Sequence, residues 1–202
     1  MDGDILLYIQ EFIRNDILDP VMIVITHTGD YGILCIAAAF LLILIPKTRI
    51  VGHITAVSIA IEFIINNICL KNIIARTRPY EVIEELEILI GAQPDYSFPS
   101  GHSGVTFAFA GAMLFAMMLG VPELSENRNY KIATGFVMLY AVLLAFSRLY
   151  VGVHYPTDVL AGMLLGLATG LAGYHIEKKM RKTWENREKD KWKRTETKEQ
   201  TP

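Results

Sequence analysis

Pro99-Ser100-Gly101-His102, with the apolar run of residues 105–119 behind it, is the stretch on which the reading of this chain turns. A serine and a glycine at the mouth of a helix leave backbone N–H groups unpaired and open to close approach, and the helix dipole adds partial positive charge. Such an end suits a phosphate. A histidine on the same turn can move protons there. Alone, the tetrapeptide reads as a capped helix followed by a surface histidine. Two further stretches give it weight: Lys71-x6-Arg78-Pro79 before it, and Ser147-Arg148-x5-His154-x3-Asp158 after it.

The run behind Gly101 approaches bilayer length, and it has companions. Apolar segments at 28–45, 50–70, 132–149 and 156–176 join 101–119 to give about five spans. A chain that is 52% hydrophobic, with mean hydropathy +0.34, fits an all-α integral membrane bundle. Residues 4–18 carry Ile5, Tyr8, Ile9, Phe12 and Ile13 at helical spacing, with Glu11, Arg14 and Asp16 between them. That pattern predicts an amphipathic helix lying on the membrane surface, ended by Asp19-Pro20. The expected organisation is an interfacial helix over 1–20, a transmembrane domain over 21–177 and a charged tail over 178–202. A short surface helix is expected near 81–90. Cys35 and Cys69 both sit in apolar segments, offering neither a disulfide framework nor a metal motif. The acidic start, with no basic stretch, predicts no cleavable signal peptide.

Polar residues inside the spans face the bundle interior. His53, Glu62, Asn66 and Asn67 crowd the second span, and Glu62 is read as a structural hydrogen-bonding group or as support for Lys71. Gly104, Ala108 and Ala112 recur every four residues in the third span, as do Gly162, Gly166 and Gly170 in the fifth. Such stripes let helix backbones approach in lipid, here within one chain. In the tail, acidic residues offset much of the basic charge, which argues against a polyanion and so against a nucleic-acid partner. The tail is read as a helical extension or as disorder.

Alternating spans bring Lys71, Ser100, His102, Arg148, His154 and Asp158 to one membrane face. The opposite face holds Lys47, Arg49, Arg128, Lys131, Lys178, Lys179, Arg181 and Lys182, which makes it cytoplasmic and turns the site outward.

Three cations beside a membrane repel one another unless an anion joins them. Arg78 and Arg148 suit bidentate contact with phosphate, Lys71 a point contact. With the N–H groups at Ser100, Gly101 and His102, they would stabilise a phosphoryl group in transfer. His154 and Asp158, four residues apart, form a pair in which the carboxylate orients the imidazole and leaves its other nitrogen as a nucleophile. His102 is then the acid that protonates the leaving oxygen and later deprotonates water. A metal is the competing reading of two histidines and an aspartate, but the surrounding cations would repel a divalent ion.

These three stretches resemble the signature motifs of the type 2 phosphatidic acid phosphatase (PAP2) family, which includes vanadium haloperoxidases and bacterial acid phosphatases. All match without substitution and in order, from Lys71 to Asp158. The resemblance implies a small bacterial membrane phosphatase that needs no metal or other cofactor. By motif position His154 would be the nucleophile, Asp158 its orienting partner and His102 the acid. Lys71, Arg78, Ser100, Gly101 and Arg148 would bind phosphate. Many membrane members have six spans; here the amphipathic helix takes the place of the first. The expected substrate is a lipid phosphate in the plasma membrane, with undecaprenyl diphosphate ahead of phosphatidylglycerophosphate or phosphatidate. Readings from other classes are an anion-binding transporter, which would show internal repeats, and a vanadate-dependent haloperoxidase, whose known forms are soluble.

Overall fold

Small residues decide how the long helices meet. In the computed structural model, which describes residues 2–119, 124 and 126–199 and side chains as far as residue 189, helix α6 (Gly101–Met118) lies at the centre. It packs against α4 (Arg49–Phe63), α7 (Arg128–Tyr150) and α8 (Pro156–Glu199). The two small-residue stripes face one another within the chain. A Cβ on Gly162 would meet the Ser100 carbonyl oxygen at 2.5 Å, one on Gly166 the Ala108 nitrogen at 2.8 Å, and one on Gly170 the Ala112 nitrogen at 2.8 Å. Only glycine permits backbones this close, and in lipid that contact replaces the missing hydrophobic driving force.

The remaining helices are α1 (Asp2–Tyr8), continued by a π-turn over Ile9–Ile13, α2 (Leu18–Thr28), α3 (Ile33–Leu44) and α5 (Lys71–Ile74). Among the described residues there is no strand. Among the described residues, four helical stretches are long and apolar enough to cross a membrane, and the α2–α3 pair, bent by 44°, passes the same test only when taken together. Their outer faces are apolar and bare, with Leu34, Phe40 and Leu41 on α3 and Phe136 and Leu139 on α7 exposed to where lipid would lie. The all-α bundle of about five spans expected from hydropathy agrees with these four or five apolar stretches.

Three local expectations are corrected. Asp19-Pro20 does not end the first helix but lies in the first turn of α2, where a proline lacks no needed donor. The helix that leads in to residue 28 therefore begins at Leu18. Residues 81–90 form no helix beyond a single 3₁₀ turn over Pro79–Glu81. Their backbone is held from outside: Gln10 donates to the Glu85 carbonyl at 2.9 Å and accepts from the Glu87 N–H at 2.8 Å, and Arg14 donates to the Glu87 carbonyl at 2.7 Å. The N-terminal helix is also more than a surface float. Leu6 and Ile9 are buried in the protein, Leu6 with Leu86 and Tyr155, Ile9 with Val151, while Ile5, Tyr8 and Phe12 stay exposed on its outer side.

At the far end, α8 runs unbroken into the tail, so the charged segment continues as helix through Glu199. The expected loop over 120–131 and the last residues of the tail lie partly outside the described residues. Glu62 is fully buried on α4 and accepts from Asn66 Nδ2 at 2.6 Å, against Gly104 of α6.

Candidate active site

Helix α4 does not end as a plain α-helix. Residues Ile64–Leu70 widen into a π-turn, a feature that recurs at functional sites. Lys71 follows, and Ala75, at φ 46°, turns the chain so that Arg76 and Arg78 fold back over the helix ends. Helix α6 starts at Gly101 with Ser100 as its cap, α7 ends just beyond Arg148, and a five-residue turn carries His154 to the start of α8.

His154 is the centre of the assembly and is almost wholly buried. Its Nε2 faces Arg78 Nη1 at 3.4 Å, and its Nδ1 faces Asp158 Oδ2 at 3.6 Å. The second distance is too long for a hydrogen bond, so the pair is oriented but not closed. Asp158 is fully buried and well supplied with donors: Arg76 Nη1 at 2.6 Å, Ser97 Oγ at 2.5 Å and the Tyr155 N–H at 2.9 Å. Burial first, then the charges of Arg78, Arg148 and Lys71, hold His154 well below the usual imidazole range. A neutral ring keeps a lone pair for attack.

Arg78 and Lys71 share a tenant that sequence reasoning missed. The Asp95 carboxylate is hydrogen-bonded to Lys71 Nζ through Oδ2 and accepts from Arg78 Nη2 at 2.5 Å through Oδ1. Burial pushes the Asp95 carboxyl up, but Lys71 and Arg78 outweigh it and hold the group at about 2. An anion thus bridges the two cations that the motifs assign to phosphate. Arg148, also buried, donates to Thr26 Oγ1 at 2.6 Å and to Gln93 Oε1 at 3.5 Å, while its Nε has no partner among the described residues.

At the start of α6 the donor set is smaller than expected. The Ser100 N–H is already given to the Asp158 carbonyl at 3.0 Å, and the Ser100 hydroxyl caps its own helix by accepting from Ser103. Among the described residues, the Gly101 and His102 N–H groups have no hydrogen-bond partner and remain for an anion. His102 is the second residue of the helix, with Nε2 at 3.1 Å from Asp30 Oδ1.

The structure therefore brings Lys71, Arg78, Gly101, His102, Arg148, His154 and Asp158 to one end of the bundle, with Ser100 beside them as a helix cap. Two cavities flank the Lys71–Asp95 pair. One, about 540 Å³, is lined by Arg76, Arg78, Glu81 and Tyr96; the other, about 570 Å³, reaches His27, Phe63, His102 and Val105. Asp30, Arg76, Asp95 and Ser97 were not assigned from sequence. The one signal was the polar break Thr26-His27-Thr28-Gly29-Asp30 in an apolar run.

Comparison with known proteins decides the family. The PAP2 superfamily matches residues 51–182, which hold every one of these motifs. The chain belongs to the PAP2 superfamily. Similar PAP2 proteins include an undecaprenyl-diphosphatase of Sulfolobus acidocaldarius, 31% identical over 68% of this chain; the match spans 60% of that relative's length. Undecaprenyl-diphosphatase BcrC of Bacillus subtilis is 31% identical over 83% of this chain and 79% of its own. Among solved structures, the transmembrane PAP2-type phosphatidylglycerolphosphate phosphatase of Bacillus subtilis superposes with a TM-score of 0.70. It is 29% identical, over 88% of this chain and 85% of that one. Family and relatives together make this chain a membrane phosphatase.

Proposed function

We propose that this chain is a lipid-phosphate phosphatase of a bacterial plasma membrane, working on its outer face and without metal, with undecaprenyl diphosphate as substrate. The observation that carries the reading is the buried His154 imidazole, with Nε2 turned to Arg78 and the cation cluster and Nδ1 turned to Asp158. The names of the two undecaprenyl-diphosphatases support the substrate. The charge bias of Lys47, Arg49, Arg128 and Lys131 on the opposite face supports the orientation. A phosphatidylglycerophosphate phosphatase is the second reading, favoured by the superposed structure.

The phosphoryl group takes the place of the Asp95 carboxylate between Lys71 and Arg78, with Arg148 and the Gly101 and His102 N–H groups as further donors. His154 Nε2 attacks phosphorus while the bond to the leaving oxygen breaks, and His102 gives that oxygen a proton. Water then attacks the phosphohistidine, His102 takes the water's proton, and phosphate departs from a restored His154. Cations and N–H donors held in a largely buried site stabilise the charge that spreads over the transferring oxygens.

Phosphate release from purified protein tests the reading. Undecaprenyl diphosphate, phosphatidylglycerophosphate, phosphatidate and a soluble sugar phosphate are compared with and without EDTA and orthovanadate. The expected result is fastest release from undecaprenyl diphosphate, unchanged by EDTA and inhibited by vanadate, which can mimic the five-coordinate transition state. Faster release from phosphatidylglycerophosphate selects the second reading. Activity lost in EDTA and restored by a divalent ion overturns the metal-free mechanism.

A further inference from the structure

The first span is broken at a particular place, and the break is strained. Between α2 and α3, Tyr31 holds φ 54° and Gly32 φ 64°. A non-glycine side chain in the left-handed region is costly and persists where its surroundings demand it. The break is pressed onto the first turns of α6. A Cβ on Gly29 would meet His102 Cδ2 at 2.7 Å, and one on Gly32 would meet Val105 Cγ1 at 3.0 Å.

What this geometry delivers is Asp30. Its Oδ1 lies 3.1 Å from His102 Nε2, and its Oδ2 lies 2.8 Å from His27 Nδ1. His27 is exposed and holds the carboxylate from the outer side; His102 is only 16% exposed and holds it from within. Among the described residues, no other hydrogen bond reaches the His102 ring, so Nδ1 is its free nitrogen. The 570 Å³ cavity opens beside this contact, with Asp30 and His102 on its polar side and Phe63, Ile90 and Val105 on its apolar side. A leaving group that is polar at the scissile oxygen and apolar beyond it fits such walls.

We infer that Asp30 is a positioning residue for the leaving-group proton: it accepts Nε2–H of His102 and so directs Nδ1 at the leaving oxygen in the adjoining cavity. The inference rests on the phosphatase reading of the site. In the first step the protonated ring gives its Nδ1 proton to the leaving oxygen as the P–O bond breaks, and becomes neutral with Nε2–H still on Asp30. In the second, Nδ1 takes a proton from the water that attacks phosphorus, and the ring is again protonated. Asp30 takes no proton in either step. Its negative charge offsets the repulsion that Lys71 and Arg148 exert on a protonated ring, so His102, like His154, faces a carboxylate, here one shared with His27.

The test uses two amphiphilic esters with the same phosphoryl group and unlike leaving groups: phosphatidate, which leaves as an alkoxide, and an alkyl-substituted nitrophenyl phosphate, which needs no proton. Kinetics are measured in detergent for wild type, Asp30→Asn, Asp30→Glu and His102→Ala, each with a melting curve. Asp30→Asn is expected to lower kcat on phosphatidate by roughly 10- to 100-fold and on the aryl ester by less than about threefold, because general acid catalysis matters only for the poor leaving group. KM should stay within about twofold, and Asp30→Glu should recover part of the loss. Equal losses on both esters, no loss on either, or a change in KM alone overturns the role. If Asp30→Asn does not fold, Asp30→Glu is judged by the same ratio between esters. A His102→Ala loss that depends on the leaving group, beside an Asp30→Asn loss that does not, overturns the Asp30 role and leaves the phosphatase reading standing. No release by wild type from either ester is an outcome against the Asp30 role, and no release from undecaprenyl diphosphate as well overturns both.

Discussion

Arg76 donates to Asp158 Oδ1 at 2.6 Å, lies 3.9 Å over the Tyr155 ring and reaches Asp2 of α1 with its other terminal nitrogen. The buried carboxylate behind His154 is therefore fixed from outside by an arginine that the N-terminal helix holds in turn. A charge-assisted hydrogen bond to a buried group contributes about 1.5–3 kcal/mol. Arg76→Ala should accordingly lower kcat by roughly 10- to 100-fold with little change in KM. Arg76→Lys keeps the charge but not the fork, and should fall between. Steady-state kinetics beside a melting curve check this.

His154→Ala should lose at least about a thousandfold in turnover while the protein still folds, because members of a catalytic unit do not contribute independently. Retention of more than about one thousandth of the wild-type rate would sink its role as nucleophile. The depressed His154 value also has a sign in stability. The unfolded ring binds a proton below about pH 6.5 and the folded ring does not, so stability is full above that pH and falls below it. Wild-type melting temperature should drop from pH 7 to pH 5, and His154→Gln should flatten the drop.

Asp95 bridges Lys71 and Arg78, where the proposed phosphoryl group would sit. Asp95→Ala should bind orthovanadate several-fold more tightly, read as a lower inhibition constant. The same variant should melt lower without anion, because Lys71 and Arg78 then lie buried and unpaired, and added phosphate should restore it. The Asp95 value is depressed to about 2, so its stabilisation is present above the unfolded value near 3.9 and lost as pH falls towards 2. The gap in melting temperature between wild type and variant should close across that window.

Gly170→Ala places a methyl group 2.8 Å from the Ala112 nitrogen and 2.9 Å from the Gly111 carbonyl carbon, both of them backbone. Backbone cannot rotate away, so α6 and α8 must separate. A loss of about 1–3 kcal/mol in stability is expected, as for other overpacked interiors. Activity should fall with it, since α6 and α8 carry His102 and Asp158.

Much of the site was legible because its residues stand at helix ends. Spacing puts Lys71, His102, Arg148 and His154 there, and alternating spans put those ends on one face whatever the loops do. The supports were not legible, because they come from pairings across long separations. Arg76 finds Asp158 over 82 residues and Arg14 finds Glu87 over 73, and neither segment carries a period that announces its partner. The 81–90 stretch reads as a helix because glutamate favours one, yet Gln10 and Arg14 claim its backbone instead. Asp30 did leave a trace, as a polar interruption of an apolar run. Sequence alone had no way to show that the interruption is a bend facing His102.

His154, Asp158, Gly162, Gly166, Gly170 and Tyr174 stand four residues apart, and so do Ser100, Gly104, Ala108, Ala112 and Ala116. The His154–Asp158 pair is thus the top rung of a ladder whose lower rungs set bare glycine against small residues, joined at the Ser100 N–H to the Asp158 carbonyl. The direction of the Asp158 carboxylate is a matter of helical phase, set by rungs buried far below it. One residue inserted between Asp158 and Gly162 would leave every glycine seated and swing the carboxylate by about 100°, a quarter turn away from the Arg76 and Ser97 donors that hold it.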